Sequence, residues 1–304
     1  MIQRLHLAAC AALVLVPVAC EPPPLPAPDP ATHQAEMDAW KAWRRAALMR
    51  PDGWLSLVGL FWLREGASTF GSDSSSDFVY AGNIPPHVGT FVVQGDSVRF
   101  RVADGVPVLT RGDAITDIDV TPRSGSEPVV MQLGSVQWLV IQRGDERAVR
   151  LRDAQSTVRT SFNGIDMYPV SLEWRLAGRF RWKDPPDTID VPNIMGGVNR
   201  VPSPASVSFE VAGRRRSLDL WKDSDDPDNF FTAFADETNG RGTYGGGRFL
   251  WVDAPDTLRR TVVDFNASYN PPCVFTPYAT CPLPPRQNRL PVEVSAGERD
   301  WKHQ

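Results

Sequence analysis

Histidine is scarce in this chain of 304 residues, with His6, His33, His87 and His303 the full complement. Triads, histidine-ligated metals and most imidazole acid–base schemes therefore have little to draw on. A Gly-x-Ser-x-Gly elbow is missing, so a serine hydrolase would have to lean on His87 alone. Zinc-hydrolase motifs are missing too. Excess basic charge is absent: 32 Lys and Arg stand against 36 Asp and Glu, for a net −4, which excludes the concentrated basic face that nucleic acid requires. No apolar run reaches the roughly 20 residues of a membrane span, and no internal repeat stands out. Hydrophobic residues make up 42% and charged residues 22%, the composition of an ordinary globular protein long enough to bury a large core.

What is present begins with an export pattern. Met1–Arg4 is a short basic segment and Leu5–Val18 a stretch of small and branched apolar residues, as in a secretory signal. It ends at Cys20, directly before Glu21 and the run from Pro22 to Pro30. Leu15-Val16-Pro17-Val18-Ala19-Cys20 resembles a bacterial lipobox, although Pro17 stands where an aliphatic residue is usual. A second, shorter match, Leu7-Ala8-Ala9-Cys10, has almost no apolar region before it. The resemblance implies cleavage after residue 19, acylation of Cys20, and a cell-envelope protein held to the lipid bilayer, at the outer membrane if the organism has one. The proline-rich segment then reads as a semi-rigid polyproline spacer holding the domain off the bilayer.

Ala31–Met49 carries Met37, Trp40, Trp43, Arg44 and Ala47 at helical spacing, and Pro51-Asp52-Gly53 ends it. Both tryptophans are expected to pack on the domain that follows. Beyond residue 53 the signals are β. Leu55–Leu63 reads as a strand buried on both faces. Short apolar runs then alternate with turns: Phe91–Val93 and Val98–Val102 about Gly95-Asp96, and Val136–Ile141 and Ala148–Arg152 about Gly144-Asp145. Val207–Val211 and Leu218–Trp221 flank Gly213, and further strands are expected at Phe230–Ala235, Phe249–Val252, Thr261–Asn266 and Pro291–Val294.

The order of cues from Trp54 to Asp153 resembles the forkhead-associated sandwich, with Phe70-Gly71-Ser72-Asp73 through Ser76–Tyr80 as its opening stretch. Gly71-Ser72 replaces the opening Gly-Arg and no Ser-x-x-His follows, so the phosphate-gripping set is missing and phosphothreonine reading is not implied. The expected architecture is mainly β: a signal over 1–19, a lipidated tether over 20–30, an amphipathic helix over 31–53, a forkhead-associated-like β-sandwich over 54–153, a β-rich region with a cysteine loop over 154–298, and a tail over 299–304.

The densest chemistry lies in the last third. Asp264–Cys273, Thr280–Pro285, Asn288-Arg289-Leu290 and Ala296-Gly297-Glu298, with Asp52–Leu63 and Gly242–Leu250, closely resemble a bacterial family catalogued as domain of unknown function 1684. The resemblance spans roughly residues 36–298 and implies no reaction, so no role carries over. On the residues themselves, Cys273 and Cys281 in an exported, proline-crowded loop suggest a disulfide worth about 2–3 kcal/mol. A metal pair lacks two further ligands and a nucleophilic thiol lacks a local imidazole.

Asp264, Asn266, Asn270 and Asn288 either tie down this irregular loop or line a pocket, with Asp264 or Glu298 as general base or carbohydrate ligand. Gly242–Arg248 lacks the Gly-Lys-Ser/Thr ending of a P-loop and is either a tight hairpin or an anion cradle using Tyr244 and Arg248. Arg143, Arg147, Arg150 and Arg152 form a second basic cluster, read mainly as structural ion pairing with Asp153.

Two functions follow. The first is a non-catalytic lipoprotein module binding a small anionic or glycan-like ligand through Tyr244, Arg248, Asp264, Asn266, Asn270, Asn288 and Glu298. The second is a hydrolase using Asp264, Glu298 and Asp236 with Arg248 on an anionic group. Arg248 and Asp264 are expected on one cavity wall. No cofactor or metal is expected in either case.

Overall fold

The computed structural model describes residues 22–223 and 226–301; the expected signal segment, Cys20 and the last residues of the expected tail lie outside them. Helix α1 spans Pro30–Leu48. Asp29 caps it, its carboxylate accepting from the amides of Ala31 and Thr32 at 3.1 Å each, and Pro30 occupies the first position, where no amide is needed. His33, Met37, Trp40, Arg44 and Leu48 form one stripe that faces the body of the protein, with His33, Met37 and Leu48 buried. Trp43 falls off this stripe and is 62% exposed, so only one of the two tryptophans packs inward, against expectation.

Ahead of α1 the chain is extended, but it does not stand off as a spacer. The carbonyl of Pro22 accepts from Arg179, and that of Pro23 from Arg260 at 3.2 Å. A polyproline backbone makes no hydrogen bonds of its own, which leaves its carbonyls open to such donors.

The N-terminal half is a two-sheet sandwich. Its strands are β1 (Leu57–Trp62), β2 (Gly66–Gly71), β3 (Phe78–Val79), β4 (Gly89–Gln94), β5 (Ser97–Val102), β6 (Leu109–Thr110), β7 (Asp113–Ala114), β8 (Asp117–Asp119), β9 (Met131–Leu133), β10 (Val136–Arg143) and β11 (Glu146–Asp153). One sheet runs β1-β11-β10-β9-β6-β7 and the other β3-β2-β4-β5-β8. Phe70, Phe91 and Phe100 from the second meet Met131, Trp138 and Val149 from the first in a single core. Gly71 is needed where β2 passes the next loop, because a Cβ there would sit 1.9 Å from the Pro86 carbonyl oxygen. The Leu55–Leu63 run is not buried on both faces: it begins as a 3-10 turn and continues as edge strand β1, whose far end is half-buried.

A short helix α2 (Thr157–Thr160) leads to the second sheet, all antiparallel, of β12 (Arg175–Pro192), β13 (Val198–Val211), β14 (Arg214–Asp223), β15 (Asp226–Phe234), β16 (Arg248–Val252) and β17 (Arg260–Asp264). The order is β16-β15-β14-β13-β12-β17, yet β16 and β17 are joined by the short 253–259 connection, so the sheet curls until its edges approach. The cross-strand row Phe180–Val207–Leu218 faces inward with Phe209, Phe230, Phe234 and Phe265. The row Arg179–Ser208–Ser217 faces outward. Residues 265–301 wrap the open side in 3-10 turns and coil. Pro291–Val294, expected as a strand, is coil here: the Val294 amide and carbonyl bond to Asp236 and Arg248 side chains rather than to a ladder.

Candidate functional site

Between the inward face of α1 and the C-terminal coil lies a cleft of about 1050 Å³. Its walls are Trp40, Lys41, Arg44, Arg45 and Leu48 from the helix, the 162–169 segment, the 240–242 turn, and the 298–301 segment. Backbone hydrogen bonds knit the wall opposite the helix. Tyr168 donates to Gly297 O at 3.0 Å, Arg299 to Asp166 O at 2.8 Å, and Asp300 to Gly242 O at 3.1 Å. Gly242 lets the Tyr168 hydroxyl approach closely: an added Cβ would meet it at 2.5 Å, so the ring would have to shift.

The floor is an ion pair between residues remote in sequence. Arg44 Nε donates to Glu298 Oε1 at 2.9 Å, and the Asn270 amide donates to Oε2 at 2.7 Å. The second arm of Arg44 donates to the Asn270 carbonyl at 2.9 Å, and its guanidinium lies 4.7 Å from the Tyr269 ring centre. Glu298 is 1% exposed with both oxygens engaged, which fits an anchor and not a mobile base. Asn270 donates its side-chain amide to Arg299 O at 2.7 Å, while its Oδ1 is buried and has no hydrogen-bond partner among the described residues.

The lining also carries Lys41, Arg45, Arg241 and Arg299 together with half-buried Trp40, Tyr168 and Trp301, while Phe162 is buried against Phe275 and Trp301. Arg45 is steadied by Asn163 O at 2.7 Å and Arg299 by the face of Tyr168, 5.3 Å from the ring centre. Arg241 reaches Glu293 at 3.2 Å, and Lys41 reaches Asp38 at 3.4 Å. Asp166 and Asp300 supply the remaining acids of the cleft, so basic groups outnumber acidic ones.

The residues singled out from the sequence divide. Glu298 lines the cleft and Asn270 lies directly behind it. Arg248 does not: it is fully buried, donating to Asp236 Oδ2 at 2.8 Å, to Val294 O at 2.9 Å and to Ala296 O. That geometry corrects the anion-cradle reading of Gly242–Arg248, since the guanidinium turns inward to hold the 294–296 coil.

Asp264 also lies off the cleft. It caps the 3-10 turn Phe265–Ala267 through the Asn266 amide at 3.0 Å and sits 3.5 Å from His33 Nε2 on α1. Burial raises its carboxyl above the usual range, with the Asn266 side chain and His33 opposing that shift. Arg248 and Asp264 thus share no cavity wall. Asn266 is consumed by Ser171, Asp264 and His33. Asn288 is consumed by Asp219, Thr232 and Ala233.

The expected disulfide is also corrected. Cys273 and Cys281 are free thiols, and the Cys273 amide donates to Cys281 Sγ at 3.1 Å. The Cys281 thiol and the Tyr244 hydroxyl hold Cys273 below the ordinary thiol value, whereas burial pushes Cys281 up. Tyr244 therefore serves this thiol pair and the apolar cluster around Phe275 rather than a ligand. Of the second basic cluster, Arg143 reaches Thr280 at 3.0 Å and Arg150 packs on Trp54, while Asp153 bonds to Tyr80 at 2.6 Å and not to an arginine. No group of three or more His, Cys, Asp or Glu suited to a metal occurs among the described residues. Nor, among them, is any helix long and apolar enough to cross a membrane.

Sequence inspection missed Lys41, Arg45, Arg241 and Arg299. The one signal available was Arg44, which stands on the apolar stripe of α1 where a buried arginine needs a partner.

A model of the family described as protein of unknown function (DUF1684) matches residues 160–299, which includes Glu298, Arg299 and the 162–169 and 240–242 segments of the cleft but not α1. Among solved structures, an uncharacterized protein of Haloarcula marismortui is 30% identical, covering 48% of this chain and 81% of its own, with a TM-score of 0.39. The forkhead-associated domain of FhaA, complexed with the intracellular domain of Rv3910, is 12% identical over 31% of this chain and 97% of its own, with a TM-score of 0.22. A further solved structure, described as concerning phosphothreonine-dependent forkhead-associated domain interactions, has the same identity and TM-score over 31% of this chain and 92% of its own. No curated protein matches.

Proposed function

Residues 160–299 place the chain in the DUF1684 family of proteins of unknown function, and from that premise we propose that it is a non-catalytic binding module whose cleft takes a small anionic or acidic glycan-like molecule. The carrying observation is the set of Lys41, Arg45, Arg241 and Arg299 lining the cleft beside half-buried Trp40, Tyr168 and Trp301. Cations that hold an acid group, beside flat aromatic faces that take a ring or an apolar portion, are the ordinary means of fixing such a ligand. The hydrolase alternative assigns the chemistry to Glu298, Asp236 and Asp264, and Glu298 is spent on Arg44 and the Asn270 amide. Asp236 and Asp264 lie elsewhere, engaged with Arg248 and with Asn266 and His33.

The same reading makes the protein an envelope lipoprotein anchored through acylated Cys20, which the apolar segment and the Ala19-Cys20 junction support. Palmitate-analogue labelling should mark the wild type and leave Cys20→Ser unlabelled and released from membranes.

Calorimetric titration with galacturonate oligomers and their methyl esters tests the cleft. The acid form should bind and the esters should not. Arg299→Ala and Arg45→Ala should each weaken binding about tenfold, the loss of one charge-assisted hydrogen bond at about 1.5 kcal/mol. Equal binding of acid and ester, or turnover of the oligomer abolished by Glu298→Gln, would overturn the binding-module reading.

A further inference from the structure

The chain enters the described body beside a surface suited to a membrane. Pro22 O is held by Arg179 on β12 and Pro23 O by Arg260 on β17. Cys20 precedes Pro22 by two residues, a span of about 7 Å at full extension. Any acyl chain on Cys20 therefore leaves the protein close to where β12 and β17 pair.

The 253–259 turn that joins β16 to β17 lies at that point. Asp256 builds it, its carboxylate accepting from the amides of Leu258 at 2.9 Å and Arg260 at 2.8 Å and from Arg260 Nε at 2.7 Å. So held, the turn presents Leu258, 51% exposed, followed by exposed Arg259. The Phe180 amide donates to Arg259 O at 2.9 Å, which brings exposed Arg181 of β12 beside the turn, while Trp182, 50% exposed, packs edge-on against Phe180 and Phe230, the latter paired with Val252 where the turn begins. An apolar tip, an indole and arginines within reach of a lipid anchor match what a bilayer interface accepts: the tip enters the acyl boundary, the indole sits at headgroup depth, and the arginines meet phosphates.

We propose that Leu258 and Trp182, with Arg181 and Arg259, form a membrane-docking face that lays the curled sheet against anionic lipid headgroups. The proposal rests on the Cys20 anchor for its biological setting. A diacylated Cys20 is by itself a stable anchor, and the face adds a second contact that holds the body of the protein against the bilayer. The face also fixes orientation, because the tether runs from β12 and β17 directly to Asp29 and α1, the helical wall of the cleft.

The test is sedimentation with vesicles, using the chain from Cys20 onward carrying Cys20→Ser, which keeps every described residue and lacks the acyl group. It should bind vesicles of phosphatidylcholine with 30% phosphatidylglycerol, and bind pure phosphatidylcholine much more weakly. An arginine near an anionic surface is worth about fivefold in partitioning, so Arg181→Glu with Arg259→Glu should weaken binding about 25-fold or more. Leu258→Ser should weaken it on both lipid mixtures. Arg111→Glu with Arg123→Glu, exposed positions in the sandwich, should leave binding within twofold. Near-ultraviolet circular dichroism of each variant checks that it is folded.

No binding by the unmutated chain, or equal loss with the sandwich pair, would overturn the proposal. Vesicle binding without palmitate labelling supports the docking face and removes the Cys20 reading. Labelling without vesicle binding removes the docking face alone.

Discussion

Replacing Arg248 by Met separates a structural arginine from a ligand-binding one. The side chain is fully buried and donates to one carboxylate and two carbonyls. Its partner Asp236 has a side chain that is equally inaccessible and accepts from the Thr238 amide at 2.8 Å, the Thr238 hydroxyl at 2.6 Å and the Val294 amide at 3.2 Å. Methionine fills much of the space but leaves that carboxylate without its cation, a loss of about 3–5 kcal/mol for breaking one side of a buried pair. Each of the two orphaned carbonyls adds about 1 kcal/mol, and the apolar replacement returns part of the sum.

A net destabilisation of about 4–6 kcal/mol is therefore expected, against a total of about 5–15 kcal/mol for a typical domain. Urea unfolding followed by near-ultraviolet circular dichroism measures it. Asp236→Asn with Arg248→Met should recover at least about 2 kcal/mol, because an amide can stay with Thr238 without a buried charge. The loss should also loosen Glu298, since the 294–296 coil that Arg248 holds leads directly into it. An Arg248→Met protein within about 1 kcal/mol of wild type that no longer binds the galacturonate probe would refute this reasoning and return Arg248 to a ligand-binding role.

Two further outcomes are expected. Gly242→Ala should destabilise the cleft wall, because the new Cβ lies 2.5 Å from the Tyr168 hydroxyl. Tyr168→Phe in the same chain should restore most of the loss, the next ring atom being 3.8 Å away; thermal unfolding of the single and double variants shows whether it does. Cys273 should alkylate faster than Cys281 and at lower pH than a free thiol. Its thiolate accepts hydrogen bonds from Tyr244 and Cys281, which favours the charged form, so reactivity persists as pH falls below the ordinary thiol range. Tyr244→Phe removes one donor and should shift the pH profile of iodoacetamide labelling upward; an unchanged profile would show that the hydroxyl does not act on the sulfur.

The sequence by itself determined the elements whose signals are local. The apolar stripe and the Pro51-Asp52-Gly53 stop specify α1 to within a residue at each end, because 3.6-residue periodicity and helix breakers act within a few turns. The Gly95-Asp96 and Gly144-Asp145 turns specify their hairpins, with both glycines at positive φ. The length of β12 was not legible. Lys183-Asp184-Pro185-Pro186 reads as loop, and only pairing with β13 across an irregularity between Trp182 and Asp187 carries the strand through it.

The tertiary structure alone decided which polar residues share a site. Glu298 and Arg44 stand 254 positions apart, and a pair at that separation leaves no periodic trace in either segment. The same holds for Arg248, whose glycine-rich neighbourhood suggested an exposed cradle. Its direction was set by Asp236 and by two carbonyls of the 294–296 coil, buried acceptors that would have gone without a donor had the guanidinium pointed to solvent.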